Sequence, residues 1–337
     1  MATSWFSDPE LMSTTFSVSY VANNLSKADD VLVRRTSSVR IPRWAYAHMD
    51  DVVYVNSSQT PFTAHKLPIK DKGFVHQVRV CHLQETVFVV VASEHGVLVF
   101  DSKGEQKLYE LVLKDAVGTP EDGEALFCRG ICAINSDRPA LVVGSSMGKV
   151  FVLGKERSSK STSDHEFDLV ETLSDHKDAI QSADCSANGE LLATSDSSGT
   201  ILVRKPDDAF EIVHRIPGDA FPATCIRFTP NNLLLGGYLT GVIRIYRKDD
   251  FRLHAEIAGH SRAVTALDVN DKYVVSVGED TFMNVWELTA SKTAPRVQLV
   301  SSQCAANDLL TGVAFGKGKT VITAAYDTTH LKLWVPQ

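Results

Sequence analysis

Several residue sets in this chain have the types that catalysis or ligand binding requires. Gly318-Lys319-Thr320 ends as a phosphate-binding loop ends, with backbone amides and a lysine to hold a polyphosphate. That loop needs its first glycine at position 313, which is Val313, and a helix start behind it, where strand-like residues follow instead. The stretch from Gly144 to Lys149 has the wrong glycine spacing and runs straight into Val150. Cys128 and Cys132 form the one close cysteine pair, but no second pair or His-x₃-His completes a set of four metal ligands. Cys81 and His82 alternate to opposite faces of a strand. His260 with Asp280 could be an acid–base pair, and paired carboxylates such as Asp280 and Asp327 could attack a glycosidic bond. Both acids lie in short polar turns, no cluster of surplus acids remains, and neither a Gly-x-Ser-x-Gly elbow nor a His-Glu-x-x-His pair occurs. A carboxylate, an imidazole and a hydroxyl also satisfy one another as a structural network, because a buried acid is tolerated only among donors. The expectation is therefore no catalytic residue, no metal, no cofactor and no small-molecule substrate.

The elements that carry these residues repeat. An apolar strand, a small polar turn and a second alternating strand recur at 320–335, 272–288, 233–247, 190–205, 140–154 and 86–101, with a faint copy at 43–55. The closing position falls at Phe100, Leu153, Arg204, Tyr246, Trp286 and Trp334, with Val55 as the weakest member. Intervals of 40 to 53 residues match four-stranded blades rather than helical repeats. Period-two alternation within each copy, with no helical pattern between them, predicts an all-β fold: a single seven-bladed β-propeller. The last copy is followed by only a few residues, so the final blade lacks an outer strand, and residues 15–21 (TFSVSYV) alternate as such a strand should. Residues 1–14 are then a tail, and 15–337 the propeller, closed by 15–21 so that no edge is left open.

Composition narrows the function classes. The 337 residues carry 34 basic and 41 acidic side chains, a net charge of −7, which gives no pull toward nucleic acid. Arg34 and Arg35 read as solvated strand-edge residues. The start of the chain shows no basic-then-apolar leader, and no apolar run approaches the roughly 20 residues of a membrane span. The six cysteines lie mostly in strand-like segments, as buried hydrophobes of a reducing compartment do. A cytoplasmic location follows, with a cilium or vesicle association as variants; the glycosylation patterns at Asn24 and Asn56 then carry no meaning. Residues 114–124, 155–168 and 289–297 are polar projecting loops, and the cluster from Ser158 to Ser163 is a candidate for phosphorylation.

Residues 258–288 resemble a repeat of the WD-repeat family: Gly259-His260 opens it, Asp280 sits in the turn, and Trp286-Glu287 closes it. The resemblance implies a hydrogen-bonded chain of His260, Ser276, Asp280 and Trp286. Elsewhere the pattern erodes. Asp175-His176 stands for Gly-His, with Ser198 and Arg204 at the Asp and Trp places, while the last copy keeps Thr323, Asp327 and Trp334. Fragments at Asn23-Asn24-Leu25-Ser26, Arg129-Gly130-Ile131, Arg215-Ile216-Pro217-Gly218 and 278–282 fall in an order similar to one member of that family. This implies a non-catalytic adaptor or scaffold that binds other proteins, self-association among them. The same family places Gly-His openings and Asp turns on one face, where Tyr238, Arg262, Glu279, Phe282 and Tyr326 are candidate partner contacts. Two further readings are a structural component of a large assembly such as a cilium, and a ubiquitin-ligase substrate receptor. The first would show as Trp5 or Phe16 packed on another chain; the second is hinted at by Val99-Phe100-Asp101-Ser102-Lys103.

Overall fold

The computed structural model describes residues 5–34, 37–56, 63–71, 73–118, 123–154, 167–289 and 296–337. The cluster from Ser158 to Ser163 and the side chains of Arg34 and Arg35 lie outside what is described. The described residues form seven four-stranded antiparallel sheets, here blades I to VII, and one helical turn, Leu113–Val117. Six blades run outward in chain order, and in the seventh the outermost strand comes from the N-terminus. The innermost strands are Ser26–Arg34, Val75–Leu83, Cys128–Ile134, Ile180–Cys185, Ala223–Phe228, Val264–Val269 and Leu310–Phe315. Each inner strand touches the next, and that of blade I also touches that of blade VII, so the ring is shut.

Valine, isoleucine and small residues dominate the inner strands because both sheet faces are covered by neighbouring blades. The core accordingly divides into seven apolar clusters, each wedged between two adjacent blades. Threonines pin neighbouring blades where the strands enter the channel. Thr265 Oγ1 donates to the Leu310 carbonyl at 2.7 Å, and Thr224 likewise reaches the carbonyl of Val264.

Closure comes from an N-terminal outer strand, but not from residues 15–21. Glu10–Ser13 pairs antiparallel with the third strand of blade VII, Glu10 opposite Leu333 and Ser13 opposite His330. The pairing continues outward through Ser7, whose amide donates to the Val335 carbonyl at 3.0 Å. Thr15 then takes a φ of 64°, which ends the strand. Residues 15–21 instead cross from blade VII to blade I: Val18 exchanges bonds with Thr328 and Asp327, and the Ser19 amide donates to the Ala47 carbonyl. The alternation of Phe16, Val18 and Tyr20 reflects a segment bridging two blades. The true closing strand was hidden because it is four residues long and shows Leu11 to solvent.

Candidate functional site: the loop face of blades V to VII

The best-formed hydrogen-bond chain lies in blade VI. His260 Nδ1 bonds Asp280 Oδ1 at 2.9 Å, His260 Nε2 bonds Ser276 Oγ at 2.8 Å, and Trp286 Nε1 donates to Ser276 Oγ at 3.0 Å. Burial pushes the His260 pKa down, although Asp280 opposes it, so the ring is neutral near pH 7. Only one proton arrangement then satisfies every group. Nδ1–H donates to Asp280, the Ser276 hydroxyl donates to Nε2, and Trp286 donates to the serine oxygen. Asp280 also accepts from the amides of Ser261 and Phe282, and these bonds with His260 hold its pKa down against the opposing effect of burial. The carboxylate fastens the loop before the blade to the turn within it. It offers no free oxygen pair for catalysis.

Blade IV rebuilds this chain from different residues. His176 Nδ1 bonds Asp196 Oδ2 at 2.6 Å and Nε2 bonds Thr194 Oγ1 at 2.8 Å. Asp196 is two residues ahead of the motif position, which Ser198 occupies. Strand register shows why it serves: Asp196 faces Ile180 as Gly278 faces Val264. A Cβ built on Gly278 would lie 2.8 Å from His260 Nδ1, so a side chain from that slot reaches the histidine directly. Arg204, at the tryptophan place, donates to Asp175 at 2.8 Å and to the Phe210 carbonyl at 3.2 Å. In blade VII, Trp334 Nε1 donates to Thr323 at 3.0 Å, while Asp327 is exposed with a φ of 58°.

The five candidate contacts separate. Tyr238 is 1% exposed and lies inside blade V, a correction to its placement on the partner face. It fills the slot of Gly278 and Asp196, with its hydroxyl 2.7 Å from that of Tyr246 and the Arg244 guanidinium 4.5 Å above its ring. Gly236 beneath it leaves room for the ring: a Cβ there would come within 3.0 Å. The other four share one loop face. Tyr326 is 49% and Phe282 38% exposed, Arg262 is exposed, and Glu279 is half-buried. Tyr20, missed from the sequence because residues 15–21 read as a strand, joins them. Its hydroxyl donates to Glu279, its ring meets Tyr326 edge-on at 5.6 Å, and its pKa is pushed up to about 12, chiefly by the Glu279 bond. Phe221 and Leu239 extend the apolar rim. Inside it is a cavity of about 240 Å³ at the channel mouth, lined by Tyr20, Arg129, Gln181, Leu239, Glu279 and the threonines at 224, 265 and 311, among others.

Comparison with known proteins places this architecture. The family model for WDR54 matches residues 55–335. The chain belongs to the WDR54 family. Among its relatives, human WD repeat-containing protein 54 is 26% identical over 77% of this chain and 77% of its own length. The mouse protein of that name is 25% identical over 80% and 83%. A human kinesin-like protein, KIF21B, aligns at 25% identity with 60% of this chain but 12% of its own length. A chain in the crystal structure of the mitotic checkpoint complex superposes with a TM-score of 0.73 at 18% identity, covering 99% of this chain and 97% of that one. That last likeness is one of fold.

Within this WDR54-family propeller, the remaining chemistry-bearing residues also have structural partners. The Lys319 ammonium, the lysine of the phosphate-loop mimic, lies 5.2 Å from the Trp5 ring centroid and 5.5 Å from that of Tyr273. Trp5 packs edge-on against Tyr273 at 5.0 Å, Phe6 is buried beside Trp334, and Phe16 lies against His48. Phe100 is buried, and Asp101 accepts the amides of Glu105 and Gln106 at 2.8 and 3.0 Å. Burial raises the thiol pKa of Cys81 to about 11 and that of Cys185 to about 12, and pushes Cys128 and Cys132 up as well. Such thiols are poor nucleophiles. Among the described residues no cluster could hold a metal ion, and no helix is long and apolar enough to cross a membrane.

The channel wall does carry convergent charge. At equivalent places on the inner strands stand Arg79, Cys132, Asp184, Arg227 and Asp268. Asp184 accepts the Phe228 amide at 2.8 Å and Arg79 at 3.4 Å; Asp268 accepts the Phe315 amide at 2.7 Å. Burial raises the Asp268 pKa, with Arg227 and the Phe315 amide opposing. Each carboxylate thus staples its blade to the next one.

Proposed function

We propose that this chain is a non-catalytic scaffold that binds other proteins through the loop face of blades V to VII. The observation that carries this reading is the exposed aromatic and charged set, Tyr20, Phe221, Phe282 and Tyr326 with Arg262 and Glu279, around a cavity on a closed ring. Tyrosine and arginine deliver much binding energy for little conformational entropy once water is excluded. The ring beneath is held by seven inter-blade cores, so the face is pre-organised and partner choice resides in loops. Its free, largely buried cysteines support work in a reducing compartment, the cytoplasm.

The test is affinity purification followed by mass spectrometry with the wild type, an Arg262→Glu/Tyr326→Ala variant and a Leu253→Glu variant on the outer strand of blade V. Partners lost from the first variant but kept by the second support the face. Partner sets that are identical in all three reject it.

A further inference from the structure

Arg129 is the one guanidinium among the residues lining the cavity, and among the described residues no carboxylate offsets its charge. It stands in a bulge of the blade III inner strand, where register shifts between Arg129 and Ile131. Gly130 makes that bulge possible: its φ is +80°, and a Cβ there would sit 2.9 Å from Ile180 Cγ2. Arg129 is the second residue of its inner strand, as Gln181, Thr224, Thr265 and Thr311 are of theirs, and all five line the cavity; its Nη1 donates to Gln181 Oε1 at 3.2 Å. Nε is buried and has no partner. Burial pushes its pKa down, and no carboxylate offsets this; only Cys225 acts in the other direction. Farther down the wall, Arg227 Nε and Asn23 Nδ2 are also buried donors without partners, on side chains almost wholly hidden from solvent. Buried donors are nearly always satisfied, and a guanidinium partly withdrawn from water is strengthened by an anionic partner.

We propose that the channel mouth receives the carboxylate side chain, Asp or Glu, of a partner peptide, anchored on Arg129. This rests on the reading of the loop face as a protein-binding surface. A single negative charge matches the one guanidinium lining the cavity; a dianionic phosphoryl group would add a second charge facing Glu279 at the rim. The cavity of about 240 Å³ admits one acidic side chain, not a folded element. Exposed Tyr20, Phe221, Leu239 and Tyr326 around it suit apolar residues on either side of the acid, which favours a peptide over a free small acid.

The experiment uses the full chain and fluorescent nonapeptide pools with a fixed central Glu, Gln or phosphoserine, read by polarisation, with inorganic phosphate as competitor. The Glu pool is expected to bind about tenfold or more tighter than the Gln pool, a difference of roughly 1.4 kcal/mol. Arg129→Met should erase that difference and Arg129→Lys should keep part of it. Thermal melts of the free protein give a second readout. If Arg129 is held for a ligand, Arg129→Met removes a partly buried guanidinium that no carboxylate pairs with, and Tm should not fall; a structural arginine would lower it. Equal binding of the Glu and Gln pools, no binding by any pool at about 1 mM, tighter binding of phosphoserine, displacement by phosphate alone, or a lowered Tm in Arg129→Met would each overturn the carboxylate assignment. If all pools bind equally and Arg262→Glu weakens them, the face stands while its acidic ligand falls.

Discussion

Replacing Ser276 by alanine isolates the hydrogen-bond chain of blade VI. The serine is 0% exposed, so water cannot replace its hydroxyl. Its oxygen accepts from Trp286 Nε1 at 3.0 Å and its proton goes to His260 Nε2, 2.8 Å away. Alanine orphans one buried donor and one buried acceptor, each costing about 1–3 kcal/mol, while relief of the serine's own desolvation returns about 1. The net loss should be about 1–5 kcal/mol, up to a large share of the stability of an ordinary domain. Urea unfolding followed by both circular dichroism and tryptophan fluorescence measures it and checks that the two transitions coincide. A cycle with Trp286→Phe tests the mechanism. Phenylalanine removes the N–H donor, so Ser276→Ala should cost about 1–2 kcal/mol less in that background. A loss below about 1 kcal/mol, or additivity within about 0.5 kcal/mol, would refute the relay and reduce the four residues to neighbours in a core.

Asp196→Ala should destabilise at least as much as Asp280→Ala, by about 3 kcal/mol, because Asp196 holds His176, the Ser198 hydroxyl and the amides of Ser198 and Thr200; parallel urea midpoints decide it. Stability should fall as pH drops below the ordinary histidine value of 6.5, because burial lowers the His260 pKa and the unfolded chain then takes up a proton that the native ring refuses. The slope from this group is at most about 1.4 kcal/mol per pH unit, and His260→Phe should lose it in urea titrations from pH 7 to 5. Removing residues 1–14 exposes the third strand of blade VII and unburies Phe6 and Met12, worth about 1.5–3 kcal/mol each. The truncated chain should melt lower and associate as concentration rises, visible by light scattering.

The ring was legible in the sequence because inner strands must be apolar on both faces, and that demand repeats at every blade. Intervals between Phe100, Leu153, Arg204, Tyr246, Trp286 and Trp334 therefore marked the blades even where motif residues had gone. The closing strand was not legible, since a strand of four residues at a solvated edge needs one buried side chain, Met12, and gives no periodicity to read. The face was partly legible. Arg262, Glu279, Phe282 and Tyr326 flank turns that the repeat itself located, whereas Tyr20 belongs to a crossing segment whose place is set only by the folded ring. Arg129 was overlooked, although it stands at the inner-strand place that Gln181, Thr224, Thr265 and Thr311 hold in other blades, which the repeat itself could have located.

Tyr238 shows why motif residues alone mislead here. Asp196, Tyr238 and Gly278 occupy one register slot, each facing the first residue of its blade's inner strand. What fills the slot decides where the neighbouring polar groups go. Glycine leaves space for His260 and an aspartate two residues later; aspartate reaches His176 itself and frees Ser198 to cap the turn. Tyrosine occupies the whole volume, so blade V has Gly236 where blade VI has Ser276, and pairs Tyr238 with Tyr246 in place of a serine–tryptophan bond. Three different residues thus meet one packing requirement, and an exposed tyrosine cannot be inferred from a loop-proximal position. Binding capacity must therefore reside in residues beyond that slot, in the turns and the crossing segment, where side chains are not already consumed in holding a blade together.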